Sequence, residues 1–282
     1  MDAVITGAST GIGRAIALRL HAEGWRVFAG VRKAGDGEAL RDAAGDDRVV
    51  PLQIDVTDAD GVHRAADLQA TLGPGAGLHG LVNNAGIGIG GPVEFVPLDD
   101  WRRQLEVNVI GQVAVTQAFL PMIRAGKGRI VNIGSIGGRL AAPFVGPYSA
   151  SKFAMEAVTG SLRGELRKFG IWVAIIEPGT IATPIWDKAQ ADADAAIEAL
   201  PATGSELYGR DLEAFRKTAA QLGARGIPPE RVADAALHAL TAKRPKARYL
   251  IDRESRIRLV ANAALPVRTM DAVVARVMGI GR

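Results

Sequence analysis

Short apolar runs alternate with segments of helical periodicity along most of the chain. The apolar runs lie at residues 3–5, 26–29, 49–54, 80–83, 128–133, 172–176 and 248–251. Between them, apolar residues that recur every three or four positions predict helices over residues 11–22, 37–44, 59–72, 99–124, 148–169 and 229–242. The runs are continuous rather than alternating, which is typical of strands covered on both faces. This order predicts an α/β fold, with a doubly wound parallel sheet in a single domain over residues 1–282.

The strand–helix alternation stops after Glu177 and resumes only near residue 229. Residues 184–226 are helical in composition and have no strand run, and residues 253–282 have the composition of a helical tail. An insertion after the carboxyl end of a strand lies where open α/β sheets bind ligands, so residues 184–226 are a candidate substrate cap. The alternative is a pair of amphipathic helices that pack on the sheet as ordinary structure.

Composition excludes several function classes. Of 282 residues, 48% are apolar and 23% are charged, which is ordinary for a globular protein and excludes wholesale disorder. The net charge of +4 is small and basic residues alternate with acidic ones, so we expect no nucleic-acid partner. Cysteine is absent and the four histidines are scattered, so we expect no metal site. Because residues 107–123 are interrupted by polar side chains and Met1 leads straight into the first apolar run, we expect no membrane span or N-terminal anchor, and a cytoplasmic location.

A glycine-rich turn joins the first strand to the first helix. Residues 6–13 read Thr-Gly-Ala-Ser-Thr-Gly-Ile-Gly, with Gly7, Gly11 and Gly13 in the spacing G-x-x-x-G-x-G. Glycines in such a turn allow positive φ and let the backbone approach a pyrophosphate at the N-terminus of the helix. The turn therefore predicts a dinucleotide cofactor, although a purely structural turn is the alternative.

The end of the second strand bears on which dinucleotide binds. NAD-binding folds of this type place a carboxylate there, on the ribose 2′-OH. Residues 29–33 read Ala-Gly-Val-Arg-Lys and contain no carboxylate. Arg32 suits a 2′-phosphate because its guanidinium donates paired, charge-assisted hydrogen bonds. We therefore expect NADP(H) to be preferred, with NAD(H) as the second cofactor; the alternative is a solvated loop end.

A tyrosine and a lysine lie one helical turn apart at the start of a predicted helix. Tyr148 and Lys152 share a helix face, and Ser135 precedes them at the end of the fifth predicted strand. A free phenol has a pKa near ~10 and is a poor base at neutral pH, but a neighbouring ammonium group lowers that pKa. The three residues are therefore candidates for proton transfer to a substrate oxygen.

Together with residues 83–86 (Asn-Asn-Ala-Gly), Asn108 and residues 178–179 (Pro-Gly), these motifs resemble the short-chain dehydrogenase/reductase family, in the same order along residues 1–184. The resemblance implies a Rossmann fold and hydride transfer between NAD(P) and an alcohol/carbonyl pair. It implies that Tyr148 is the acid/base, that Ser135 orients the substrate oxygen, and that Lys152 binds the nicotinamide ribose and lowers the tyrosine pKa. It further implies that Asn108 completes a catalytic tetrad by holding a water near the lysine.

The same resemblance implies a larger set of cofactor contacts. Residues 55–56 hold the adenine. Asn83, Ala85 and Gly86 belong to the run that closes over the adenosine ribose and steadies the central sheet, and residues 178–183 lie beside the nicotinamide carboxamide. The full set implied for the cofactor, beyond Arg32, is Gly7, Ser9, Thr10, Gly11, Ile12, Gly13, Asp55, Val56, Asn83, Ala85, Gly86, Tyr148, Lys152, Pro178, Gly179, Ile181 and Thr183.

Residues 27–33 and the long C-terminal region are similar to the retinol- and 17β-hydroxysteroid-dehydrogenase-like members of the family. We therefore expect a small hydrophobic alcohol or carbonyl substrate in contact with Ser135, Leu140, Val145, Tyr148 and Trp186. The resemblance also implies a homodimer or homotetramer that packs through helices 99–124 and 148–169. Two alternatives are a non-catalytic NAD(P)-binding regulator and, more weakly, an epimerase or dehydratase of the same fold.

Overall fold

A seven-stranded parallel sheet forms the centre of the protein. A computed structural model describes residues 1–73, 76–183, 194, 197–198 and 200–281. The strands are β1 (Asp2–Thr6), β2 (Arg26–Val31), β3 (Val49–Gln53), β4 (Gly80–Asn83), β5 (Arg129–Ile133), β6 (Trp172–Glu177) and β7 (Arg248–Leu250). They lie in the order β3-β2-β1-β4-β5-β6-β7, and all neighbours are parallel. The predicted α/β fold with a doubly wound parallel sheet is confirmed.

Helices follow the strands as the periodicity predicts, with differences at particular points. Those of the described chain are α1 (Gly11–Ala22), α2 (Ala34–Ala44), α3 (Ala59–Ala66), α4 (Gln69–Leu72), α5 (Leu98–Leu105), α6 (Gly111–Ala125), α7 (Gly146–Leu166), α8 (Ala202–Ala224), α9 (Glu230–Thr241), α10 (Arg253–Ala264) and α11 (Val267–Met278). The helix predicted over residues 59–72 is two helices, because Asp67 leaves the helical region with ψ at 52°. The helix predicted over residues 99–124 is interrupted by a π-helical turn at Glu106–Ile110.

Hydrophobic side chains pack on both faces of the sheet. Val4 and Phe28 point into a cluster with Phe119 and Ile123 of α6. Their chain neighbours Ile5 and Val27 belong to the opposite cluster, which contains the apolar faces of α1 and α9. Successive strand residues therefore enter different cores, which explains why the strand runs are continuously apolar.

The segment predicted as an insertion is closed at its base by one isolated bridge outside the seven strands. Ile181 and Ile227 form a parallel bridge, with hydrogen bonds of 2.9 Å from Ala182 N to Ile227 O and 3.0 Å from Ile227 N to Thr180 O. Helix α8 forms the described part of the segment, and Trp186 lies outside the described residues. Residues 253–282, expected to be a helical tail, contain α10 and α11. In the described chain, no helix is long and apolar enough to cross a bilayer.

Candidate active site

The strand order reverses at β1, since β2 and β3 lie on one side of it and β4 to β7 on the other. Open α/β sheets bind ligands at such a reversal, outside the carboxyl ends of the strands. The glycine turn leaves β1 at this edge, and residues 83–86 follow β4 beside it. The topology therefore brings the first two predicted motifs together.

The glycine turn has the geometry of a pyrophosphate cradle. Gly7 and Gly11 have φ of +64° and +54°, in the region that L side chains rarely adopt. A Cβ added at Gly13 would collide with the carbonyl oxygen of Gly7. Helix α1 begins at Gly11, and Thr10 makes no side-chain cap hydrogen bond, so the first amide groups of the helix are free to receive an anion. These residues fit the pyrophosphate of a dinucleotide.

Asn84, which sequence reasoning did not single out, fastens this turn. Its Nδ2 donates to the carbonyl oxygens of Thr6 at 3.0 Å and Gly7 at 2.9 Å. The Thr6 hydroxyl in turn accepts from the backbone amides of Asn84 and Ala85, both at 3.0 Å. The Asn-Asn-Ala-Gly run indicates that an asparagine contributes to the site, but only the fold shows which of the two reaches the glycine turn.

Asn83 faces the interior of the sheet instead. It is buried, and its Nδ2 donates to Thr116 Oγ1 at 2.8 Å and to Asn132 Oδ1 at 2.9 Å. Asn132 continues the chain of hydrogen bonds to Thr159 Oγ1 at 2.8 Å. This ladder joins α6, β4, β5 and α7, so the Asn83 side chain supports the site from within.

Arg32 lies at the carboxyl end of the sheet, one residue beyond β2. Its side chain is exposed and forms no ion pair within the described chain. Helix α2 begins at Ala34, so its positive N-terminal end adds to the charges of Arg32 and Lys33. Asp55 follows β3, where its Oδ1 accepts hydrogen bonds from the amide and hydroxyl of Thr57 at 3.0 and 2.8 Å.

The predicted proton-transfer residues meet where β5 faces the start of α7. The Lys152 side chain is buried, and its Nζ donates a 2.9 Å hydrogen bond to the carbonyl oxygen of Ile133. The same nitrogen lies 5.7 Å from the centroid of the Tyr148 ring. Gly137 packs so closely on that ring that an added Cβ would lie 3.3 Å from Tyr148 Cε1 and from Ser135 Oγ. Ser135, Tyr148 and Lys152 therefore form one cluster.

Burial shifts the protonation of this cluster. It raises the pKa of the Tyr148 phenol, and a hydrogen bond with Ser135 partly offsets the rise. Burial also lowers the pKa of Lys152 to about 8. In the protein alone the phenol is thus a proton donor at neutral pH, and the lysine is closer to losing its charge than an exposed lysine.

Asn108 lies in the π-helical turn, and its amide fastens the loop after residue 86. Asn108 Oδ1 accepts from Ile87 N at 2.8 Å, and its Nδ2 donates to Ile87 O at 2.9 Å and to Ser151 Oγ at 3.1 Å. Gln104, one turn earlier, accepts from Ile89 N at 2.7 Å and donates to Ile87 O at 2.9 Å. Ser151 Oγ donates to the Tyr148 carbonyl at 2.7 Å, which links this network to the tyrosine. Sequence reasoning identified Asn108 but missed Gln104 and Ser151.

Residues 178–183 connect the tyrosine cluster to the glycine turn. The Pro178 carbonyl accepts from Ile136 N at 3.0 Å, next to Ser135. At the other end, Thr183 packs on Gly11, where an added Cβ would lie 3.3 Å from the Thr183 Cβ. Ile181 between them is buried. The predicted cofactor residues of this segment thus lie between the two ends of one elongated site.

Of the predicted substrate residues, Val145 adjoins Phe144, which packs against helix α8. Val145 forms a bridge with Gly91, and the neighbouring Phe144 has φ of 63° and contacts the Phe215 ring at 5.7 Å between centroids. A cavity of about 40 Å³ lies between this loop and the described part of the insertion. Its lining is almost entirely apolar: Gly90, Gly91, Pro92, Phe144, Ile197, Leu200, Leu212 and Phe215. Leu140 is half-buried after the turn that holds Ser135.

Comparisons with known proteins agree with this geometry. The family model of short chain dehydrogenases matches residues 2–194. Over 276 residues the chain is 36% identical to NADPH-dependent 3-dehydrocapnine reductase of Ornithobacterium rhinotracheale, a match that covers 96% of this chain and 95% of the relative. It is 37% identical to retinol dehydrogenase 5 of Mus musculus, over 95% of this chain and 86% of the relative.

Solved structures show the same relationship. A short chain dehydrogenase from Burkholderia cenocepacia in complex with NADP is 28% identical, with a TM-score of 0.71 over 98% of this chain and 96% of that one. A short chain dehydrogenase/reductase from Burkholderia phymatum in complex with NAD is 26% identical, with a TM-score of 0.77 over 93% and 94%. The chain is therefore an oxidoreductase, and it belongs to the short chain dehydrogenase family.

Proposed function

We propose that this protein is an NADP(H)-dependent oxidoreductase that interconverts a hydrophobic alcohol and its carbonyl, with Tyr148 as the acid/base. One observation carries the proposal: Ser135 Oγ and the Tyr148 ring meet around Gly137, and the ring lies beside the buried Lys152, at the carboxyl edge of the sheet. A proton donor, a second hydroxyl and a cation converge there on the place where a substrate oxygen would lie.

The nicotinamide, when bound, supplies or accepts the hydride at the substrate carbon. In the direction of reduction, Tyr148 gives its phenolic proton to the carbonyl oxygen as that oxygen gains negative charge. Ser135 donates a hydrogen bond to the same oxygen and holds it against the phenol. In the direction of oxidation, the phenolate takes the proton back from the alcohol.

Lys152 lowers the free energy needed to form the Tyr148 phenolate. The ammonium group and the phenolate attract each other in a site from which burial removes water, so the charged pair is stabilised together. The hydrogen bond to Ile133 fixes the Nζ on the β5 side of the ring. The remaining hydrogens of Nζ are free to bind the hydroxyls of a ribose.

Arg32 supports the preference for NADP(H). It is exposed at the end of β2, without a carboxylate in residues 29–33, and α2 adds its N-terminal dipole. Among the relatives, the reductase of Ornithobacterium is named for its dependence on NADPH, whereas the two Burkholderia structures hold NADP and NAD. The charge at the strand end favours the phosphorylated cofactor.

The apolar surroundings support a hydrophobic substrate. Phe144 and Phe215 contact each other edge to face in the lining of the cavity under α8, and Tyr208 packs edge-on against Phe95 at 5.9 Å between ring centroids. We propose that residues 184–226 form a cap over the nicotinamide end of the site, which excludes water during hydride transfer. A sugar or an acid would leave its polar groups unpaired against these rings.

The regulator alternative explains less of the geometry. Burying a cation costs free energy. A protein that only senses the cofactor has no use for a buried lysine beside a phenol, whereas proton transfer does. We also propose a homodimer or homotetramer, because Ile110 and Phe153, in the regions predicted as the interface, are 54% and 44% exposed.

The direct test is to follow the absorbance of NADPH during incubation with a panel of carbonyl compounds. The panel contains retinoid aldehydes, steroid ketones, quinones and short aliphatic ketones, with charged oxo acids and aldoses as matched polar compounds. We expect oxidation of NADPH with members of the apolar group. Turnover confined to the polar group would contradict the proposed substrate class.

A further inference from the structure

A cluster of two carboxylates and two partly exposed arginines lies next to the proton-transfer residues. Glu177 ends β6 and is fully buried, and Glu156 lies on α7 one turn after Lys152. Arg248 of β7 contacts both carboxylates through one nitrogen, Nη1, at 2.7 Å from Glu156 Oε2 and close to Glu177 Oε1. Arg139 contributes its Nη1 at 3.5 Å from Glu177 Oε2. None of these residues takes part in the proposed chemistry.

The two carboxyl groups are close to each other as well as to the arginines. Glu156 Oε2 and Glu177 Oε1 meet at the same Arg248 nitrogen, so the two carboxyl groups lie near each other. A hydrogen bond between two carboxyl groups requires a proton on one of them, since an ionised carboxylate only accepts. Within the described chain, neither oxygen of Glu156 receives a well-aligned hydrogen bond, despite the short distance to Arg248. Glu156 is therefore the member for which the negative charge is least well solvated.

The surroundings of Glu156 also disfavour its ionised form. The charged groups facing it are Glu177 of β6, Arg248 of β7 and Arg139 of the loop after β5, with Lys152 one turn earlier on α7. Burial, followed by the hydrogen bond and charge of Glu177, raises the pKa of Glu156 to about 7. Both arginine side chains are about two-fifths exposed, at 39% and 41%, so water screens part of their compensating charge.

Three segments connect the cluster to the proton-transfer residues and the proposed nicotinamide position. Gly138 packs on α7 so closely that an added Cβ would lie 2.7 Å from Lys152 O and 3.3 Å from Glu156 Cγ. Arg139 follows directly, at the end of the turn that begins with Ser135. Glu177 immediately precedes residues 178–179, which lie beside the proposed nicotinamide position. A change in the cluster thus reaches the backbone on both sides of Lys152.

We propose that Glu156 and Glu177 hold a single proton between them at neutral pH, and that this shared proton fixes the contact between α7 and β6 on which the placement of Lys152 depends. Glu156 is then a positioning residue. Loss of the proton leaves two adjacent carboxylates that repel each other across the contact, and it adds a negative charge one turn from Lys152 that favours the ammonium form. The inference rests on the proposed function only in placing a cofactor beside Lys152.

The first test needs neither cofactor nor substrate. In the full chain labelled with ¹³C at the glutamate carboxyls, we expect one carboxyl signal to titrate around pH 7. The Glu156→Gln variant should lose this titration, because the amide mimics the protonated form and carries no titratable proton. The matched control Glu165→Gln, on an exposed position of the same helix, should retain it. A wild-type protein in which all glutamates titrate in their ordinary range overturns the inference without affecting the proposed function.

The second test separates positioning from mere packing. The affinity for NADPH should change across the range around pH 7 in the wild type and in Glu165→Gln, and that dependence should be lost in Glu156→Gln. Affinities that change with pH equally in all three proteins contradict the positioning role. If Glu156→Gln fails to fold, the titration of Glu156 in the Glu177→Gln variant tests the shared proton instead. Removal of the neighbouring charge should then lower the pKa of Glu156 toward its ordinary value, and an unchanged titration overturns the shared proton.

Discussion

Lys152 Nζ lies 5.7 Å from the centroid of the Tyr148 ring while it donates a 2.9 Å hydrogen bond to the carbonyl oxygen of Ile133. The lysine is therefore anchored to β5, and in the proposed mechanism it acts on the phenol through its charge. Because an electrostatic effect of this kind is strong only where water is excluded, the proposed mechanism depends on the burial of Lys152. Replacements of the two residues should consequently have different effects.

Tyr148→Phe should remove the proton donor and leave the cofactor site almost unchanged. We expect kcat to fall by ~10²–10⁴-fold or more, because general acid catalysis is lost. The dissociation constant of NADPH, measured by fluorescence titration, should change little. Tyr208→Phe, which removes from α8 the hydroxyl that donates a hydrogen bond to Glu94, is the matched control and should retain most of its activity. Retention of more than about a tenth of the wild-type rate in Tyr148→Phe would exclude this tyrosine as the acid/base.

Lys152 should make stability depend on pH in the protein without cofactor. Its pKa is lowered from 10.5 to about 8, so between these values the unfolded chain binds the proton that the folded chain has lost. The free energy of unfolding should therefore rise with pH in that interval, by up to about 3 kcal/mol. Urea unfolding of Lys152→Met at several pH values should lack this contribution. Parallel curves for variant and wild type would show that the lysine is charged throughout.

Arg32→Ala should remove most of the preference for NADPH over NADH. Hydrogen bonds to a charged group contribute about 1.5–3 kcal/mol, which corresponds to a ~10–150-fold change in affinity. Binding of both cofactors should be compared by titration, with Arg41→Ala on the exposed part of α2 as the control. Tighter binding of NADH than of NADPH by the wild type would contradict the assignment.

Gln104→Met should loosen the loop that follows residue 86. The substitution removes the acceptor of Ile89 N and one donor to Ile87 O, and unsatisfied buried groups cost about 1–3 kcal/mol. We expect the free energy of unfolding to fall by that amount and exchange at the Ile89 amide to accelerate. Gln117→Met, at an exposed position of α6, should be close to neutral. Equal effects at both positions would argue against the network.

The cap should be less protected than the sheet. Amide hydrogens of α8 should exchange faster than those of β4 and β5, and they should slow when NADPH and an apolar substrate analogue bind together. Phe215→Ala should raise KM for a bulky substrate and leave NADPH affinity unchanged. Protection of α8 at the level of the strands, with or without ligand, would support the alternative of ordinary packed helices.

The sequence predicts most of the architecture because the strands are buried on both faces and their apolar runs are therefore continuous. It also predicts the glycine turn, since positive φ at Gly7 and Gly11 leaves few other residues acceptable. The π-helical turn at Glu106–Ile110 was missed, because its neighbours are good helix residues and the turn is associated with tertiary hydrogen bonds of Gln104 and Asn108.

Other parts of the site depend on contacts that no local pattern contains. Asn83 and Asn84 are equivalent in the sequence, but the alternation of side chains along β4 sends one into the sheet and the other to the glycine turn. Glu156 and Glu177 lie on a helix and a strand whose proximity is evident only from the fold. Such residues are found by following hydrogen bonds outward from the predicted site.

The bridge between Ile181 and Ile227 gives the insertion a closed base. The chain enters and leaves the insertion at adjacent points, so a change in the length of what lies between them costs only the modest entropy of closing a loop. The order of the strands, the glycine turn and the tyrosine cluster are all set outside that loop. Replacement of the insertion, which we propose to be the substrate cap, should therefore exchange the recognition of one substrate for that of another while the proposed machinery for hydride and proton transfer stays in place.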